Sequence, residues 1–168
     1  YSTEEPPFFA TKQMGSVFHS NSLKTEKVNV RGMICLETIG YFSDQPASQN
    51  YPMPILKLFY PTRGTFITVV GGFKDRQLVG LVRRAMRKAA SLPVQSILAP
   101  SWLPGIDFSD HRSYWASGYR AVMITDTAFY RNKAYHTPQD TPERLDYARM
   151  AMIVQGVFDA VIKLAEHS

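Results

Sequence analysis

Residues 65–89 read TFITVVGGFKDRQLVGLVRRAMRKA, and this stretch sets the architecture. Thr65 to Val70 is rich in β-branched and apolar residues, which suit a buried strand. Gly71 and Gly72 make a turn. Beyond them Leu78, Leu81, Val82, Ala85 and Ala89 recur at helical spacing. A strand that turns on glycine into an amphipathic helix is the repeating unit of an α/β layer fold.

The pattern continues in both directions. Val28 to Leu36 reads as a buried strand, Val94 to Leu98 as a short one after Pro93, and Tyr119 to Thr125 as another. Phe8 to Lys24 reads as a helix or helical loop, and His111 to Ser117 as a helical turn closed by Gly118. Leu145, Ala148, Met152, Ile153, Gly156, Val157, Ala160, Val161 and Leu164 form the stripe of a final helix. Pro142 suits its first turn, with Asp140 or Thr141 as cap. Tyr41 to Arg63, Ser101 to Ser109 and Asp126 to Asp140 are loops. The expected fold is α/β and three-layered, with a mostly parallel (mixed) sheet and helices on both faces.

The length of 168 residues suits a single domain. An apolar share of 45% gives enough material for a core. No window of eighteen apolar residues occurs, so no membrane span is expected. One cysteine, Cys35, excludes a disulfide framework and a four-cysteine zinc site, and it leaves the compartment open. The chain opens without an initiator Met, so Tyr1 is not expected to be the gene's start, and targeting cannot be read. The net charge of +5 has one source. Lys74, Arg76, Arg83, Arg84, Arg87 and Lys88 face only Asp75, and the remaining chain is balanced. A nucleic-acid or anionic-lipid patch is one reading. A solvated helix face is the other. No aromatic or glycine-rich element accompanies the charges, so no nucleic-acid partner is expected.

In α/β sheets, ligands bind outside the carboxyl ends of strands. That directs attention to Glu37, to Gly71 and Gly72, and to Asp126. If Tyr1 to Thr3 is the tail of a further strand, Glu4 and Glu5 join them. Adjacent carboxylates on extended backbone point apart, so one can bind a metal while the other faces its water. A solvated acidic pair is the plain alternative. Glu37 interrupts an apolar run, where a carboxylate is unfavourable unless paired or metal-bound. His136 lies on a polar loop before a helix and is either a ligand or an ordinary loop histidine. Asp110 precedes His111, and capping of the helical turn would explain it. His19 and His167 read as surface residues. Glu5, Glu37 and His136 have the donor types of a hydrolytic zinc site. No Gly-x-Ser-x-Gly elbow occurs. Cys35 sits in a strand, where a thiol is inert.

Four stretches then resemble one family. They are Glu4-Glu5 with Gly15-Ser16 downstream, Leu36-Glu37-Thr38-Ile39-Gly40-Tyr41, Ser109-Asp110-His111, and Tyr135-His136-Thr137-Pro138-Gln139-Asp140-Thr141. In this order they resemble the di-zinc aminopeptidase family, which includes leucyl aminopeptidases and glutamate carboxypeptidase-like and glutaminyl cyclase-like members. The resemblance implies a zinc-exopeptidase-like fold, two zinc ions and a peptide amino terminus as substrate. It implies that Glu4 is the general base. Glu5 and His136 would ligate one zinc and Glu37 the other, and Tyr135 would hydrogen-bond the developing oxyanion. Asp110 and His111 would be supporting residues.

The family's site also needs a histidine and a bridging aspartate ahead of the Glu-Glu pair, and only three residues precede it here. The expectation is therefore residues 1–168 as the C-terminal part of a zinc peptidase catalytic domain. Its amino-terminal strands would be missing, and the open sheet edge would pair with that missing part or in a homo-oligomer. The alternative is a metal-free binding or assembly domain that keeps the fold. Neither reading separates aminopeptidase from carboxypeptidase or cyclase action.

Overall fold

Ile67–Gly71 is buried at every position, and so is Ala121–Thr125. These two strands form the centre of the sheet. The computed structural model describes residues 1–89 and 91–166, which leaves His167 outside. Its elements run α1 (Gly15–Thr25), β1 (Met33–Glu37), β2 (Ile67–Gly71), α2 (Arg76–Ala89), β3 (Val94–Leu98), α3 (His111–Ser117), β4 (Ala121–Thr125) and α4 (Tyr147–Glu166). The strand order is β1-β4-β2-β3. β1 is parallel to β4 and β2 is parallel to β3, while β2 is antiparallel to β4. The sheet is mixed, as expected.

Helices cover both faces. α2 and α4 bury Leu78, Val79, Val82, Met86, Ile153 and Ala160 against Ile67, Val69, Val122 and Ile124. Gly156 allows close approach of the two helices, since a Cβ there would stand 3.3 Å from Met86 Cα. On the opposite face, Cys35, Val70 and Met123 pack with Leu103, Ile106 and Trp115 of α3. α1 packs on α3 through small side chains, with Ser16 Oγ 2.9 Å from Ser113 Oγ. The basic residues of α2 lie on its outer face. No helix among the described residues is long and apolar enough to cross a membrane.

Several boundaries move from their expected places. β1 begins at Met33, not Val28, because Lys27 turns left-handed (φ 54°) and Val28 is exposed. α1 begins at Gly15, because residues 5–14 form successive turns in which the Phe8 and Phe9 amides bond to Glu5 O. Tyr1 to Thr3 is no strand; Thr3 has φ 57°, and Ser2 O accepts the Gly15 amide. Pro142 opens a separate 3-10 turn, and extended Leu145 (ψ 138°) interrupts the chain before α4. Asp146 caps α4 in place of Asp140 or Thr141, its Oδ1 accepting the Arg149 amide at 2.9 Å.

Strand direction decides where the site lies. β1 and β4 end together, so Glu37 stands beside Thr125. β2 runs the other way, which carries Gly71 and Gly72 to the far edge of the sheet. There they are structural. A Cβ on Gly71 would stand 2.5 Å from Val79 Cγ2, and the Gly72 amide donates to Asp75 Oδ2 at 3.1 Å.

Candidate active site

The carboxyl ends of β1 and β4 open onto a cavity of about 330 Å³. Glu4, Glu5, Glu37, Tyr135 and His136 all line it. Three separated stretches of sequence thus supply polar groups to one cavity. Its walls are apolar and aromatic, among them Phe9, Phe108, Phe129, Leu103 and Ile106. The loop from Tyr41 to Arg63 contributes Gln49 to Pro52, Leu56 and Tyr60.

Glu4 is half-buried and fixed at one oxygen. The Ser109 hydroxyl donates to Oε1 at 2.5 Å, and the Asp110 amide donates to the same atom at 3.2 Å. Ser109 is fully buried and its Oγ also lies 3.0 Å from Cys35 Sγ. Burial pushes that thiol up to about 11, so it stays protonated and inert at neutral pH. Glu5 and His136 are exposed partners, with Oε1 and Nε2 3.3 Å apart. His136 sits in a left-handed backbone conformation (φ 59°) and stacks on Tyr135 at 3.9 Å between ring centroids.

Glu37 ends β1, and Thr38 (φ 48°) turns the chain away after it. Its carboxyl is pushed up to about 7. Burial is the main cause, hydrogen bonding from Ser109 opposes it, and the charges of Glu4, Glu5 and Asp126 add to it. Tyr135 is raised to about 12, first by burial and then by Glu37, Glu5 and Glu4. Its phenol therefore remains a donor at neutral pH.

The supporting residues divide. Asp110 does not cap α3 with its side chain. Oδ2 lies 3.3 Å from the Tyr1 amino group, and Oδ1 is buried without a partner. Asp110 reaches the site through its backbone amide on Glu4. His111 is fully buried, with Nε2 2.7 Å from Ile106 O, so Nε2 carries the proton and Nδ1 is unpartnered. Burial lowers it to about 4, which keeps the ring neutral. It braces the cavity wall at Ile106 and does not line the cavity. His19 is exposed, with Nδ1 2.6 Å from the Tyr114 hydroxyl.

Asp126, suspected from its strand-end position, is a buried pin. Its Oδ2 accepts the Tyr41 amide at 2.8 Å and its Oδ1 the Ala128 amide at 3.0 Å. Arg131, absent from the sequence reading, ties the same loops together. It is buried, bonds Gln49 Oε1 (2.8 Å) and Tyr41 O (3.1 Å), and lies over the Phe66 ring at 4.7 Å. No local signal marks it, because its partners Tyr41, Gln49 and Phe66 all lie far from it in sequence.

The donor types at the rim suit zinc: an imidazole nitrogen beside a carboxylate oxygen, with a second carboxylate in the same cavity. Among the described residues, no group of three or more His, Cys, Asp or Glu side chains is close enough to hold an ion. Glu5 and His136 are thus two donors, one fewer than a catalytic zinc usually takes from protein.

Comparison with known proteins assigns the family. The model of peptidase family M28 matches residues 13–161. The chain belongs to that family. This M28 chain is 51% identical over 157 residues to the uncharacterized protein YfbL of Escherichia coli K12, covering 94% of itself and 48% of that protein. It spans about half the length of that relative. The Legionella pneumophila LapA aminopeptidase shares its fold at TM-score 0.67 and 19% identity, over 92% of this chain and 36% of LapA. BSAP, a zinc aminopeptidase from Bacillus subtilis, does so at TM-score 0.61 and 17% identity, over 89% of this chain and 32% of BSAP. The family is one of peptidases, and the fold is that of solved aminopeptidases.

Proposed function

We propose that this chain supplies the substrate cavity and part of the catalytic constellation of a zinc-dependent aminopeptidase. The observation that carries the reading is the convergence of Glu4, Glu5, Glu37, Tyr135 and His136 on one apolar-walled cavity. Glu5 and His136 are assigned to one zinc and Glu37 to the other. The remaining ligands come from outside residues 1–168 or from a second copy of the chain. Bound zinc supplies Lewis-acid polarisation of the scissile carbonyl and a more acidic water.

The chain's own groups do the rest. Ser109 and the Asp110 amide hold Glu4 by Oε1, and Oε2 takes the proton as general base. Tyr135 donates its phenol hydrogen to the carbonyl oxygen as negative charge develops there. Exposed carboxylate oxygen at the rim attracts the substrate's α-ammonium group. The aromatic walls receive the first side chain and exclude water.

The test uses the natural protein that contains this chain, assayed on amino-acid arylamides. Hydrolysis that a chelator abolishes and zinc restores is expected. Hydrolysis indifferent to chelation would contradict the metal assignment. A second reading, a non-catalytic binding or assembly domain, is favoured by the donor count at the rim. Zinc-dependent turnover lost in His136→Ala would remove it.

A further inference from the structure

The sheet has a second edge, away from the carboxylate rim. β2 and β3 end there together, with Gly71 in register with Leu98. Just beyond β2 stands Phe73, which is 67% exposed, and the loop after β3 carries Trp102, which is 78% exposed. α2 starts at this edge and lies back along the sheet.

The outer face of α2 and the turn leading into it carry Lys74, Arg76, Arg83, Arg84, Arg87 and Lys88. Arg83 is half-buried, with Nε donating to Val94 O at 3.3 Å, and the other five are exposed. Asp75, the acidic residue of this stretch, is buried, and its oxygens accept the Gly72 and Ala121 amides. Among the described residues, the cations in ion pairs are those of Tyr1, Arg112, His136, Arg149 and Lys163, and none of the six on this face is among them. Arg83 with Arg87 and Arg84 with Lys88 are like-charge neighbours one helical turn apart, an unfavourable spacing. The fold thus holds a row of cations that it does not neutralise, and an anionic surface relieves their repulsion.

We infer that the outer face of α2, with Phe73 and Trp102 at its leading end, docks on an anionic phospholipid surface. The row extends along 14 residues, about 21 Å, on a convex helix face that a layer of headgroups can meet and that encloses no strand. The exposed aromatic side chains are gathered at one end, as anchors at a membrane interface are. They are not interleaved with the cations, as base stacking along a nucleic acid requires. Each lysine or arginine near an anionic leaflet adds a similar increment of attraction, so cations on one face add up. The carboxylate rim lies at the opposite edge of the sheet, and docking through α2 leaves it uncovered. The inference stands apart from the peptidase reading.

The experiment is co-sedimentation of the natural protein with sucrose-loaded vesicles of phosphatidylcholine, with and without phosphatidylserine. Phosphatidylserine is expected to raise the bound fraction, and high salt to cancel the increase. Arg84→Gln/Arg87→Gln/Lys88→Gln removes three exposed cations and is expected to lower the phosphatidylserine-dependent affinity about a hundredfold. Phe73→Ser/Trp102→Ser is expected to weaken binding and to keep its dependence on phosphatidylserine. No increase with phosphatidylserine in the wild type, or an undiminished increase in the triple variant, overturns the inference. Retention on duplex DNA without binding to the vesicles assigns the face to nucleic acid and overturns it as well.

Discussion

Glu37→Gln is expected to stabilise the metal-free chain at high pH and to leave it unchanged at low pH. The native carboxyl sits at about 7 against an ordinary 4.5, because burial and the charges of Glu4, Glu5 and Asp126 disfavour its ionised form. A raised carboxyl means that the native state holds its proton more tightly than the unfolded state. Stability is therefore lost as pH rises from about 4.5 to about 7, and the loss is complete above that window. The full difference corresponds to about 3 kcal/mol. Partial exposure of the site brings this to about 2 kcal/mol. Glutamine has similar shape and no charge, so it removes the penalty. For a chain of this length the midpoint of thermal unfolding should rise by about 4–8 °C at pH 8 and stay put at pH 4. Circular dichroism melts with a chelator present, on wild type and variant at both pH values, make the measurement. An equal shift at both pH values, or a lower midpoint at pH 8, would refute the reasoning that Glu37 is held in an unfavourable ionised state.

Two further outcomes follow from contacts at the site and behind it. Ser109→Ala removes the hydroxyl that orients Glu4 and should lower kcat about tenfold or more with KM little changed; a change confined to KM would show that Ser109 acts on binding. Gly71→Ala puts a Cβ 2.5 Å from Val79 Cγ2, on a stiff β-branched side chain, and should destabilise by about 1–3 kcal/mol in denaturant titration; wild-type stability would show that α2 shifts freely.

The strand, glycine turn and basic helix of residues 65–89 were legible because periodicity and β-branching are local. Strand direction was not. An apolar run reads the same from either end, so Gly71 and Gly72 were grouped with Glu37 although β2 points the other way. Boundaries failed where single backbone conformations decide them, at Lys27 before β1 and Leu145 before α4. At the site, Glu4, Glu5, Glu37, Tyr135 and His136 carried recognisable chemistry in a recognisable order, and the structure gathers them at one cavity. Asp110 was singled out for its side chain, whereas its backbone amide does the bonding to Glu4. Ser109 was quoted only within its stretch with Asp110 and His111, and Arg131 was not singled out, for one reason. A buried serine or arginine takes its meaning from partners distant in sequence, and those meetings leave no mark on the neighbouring residues.

The central claim is that Glu4 acts as the base beside a zinc held in part by Glu5 and His136. Turnover and zinc content of Glu4→Gln in the natural protein test it most directly. The expected result is wild-type zinc content with kcat lowered by about a hundredfold or more. Wild-type turnover in the zinc-bound variant would contradict it.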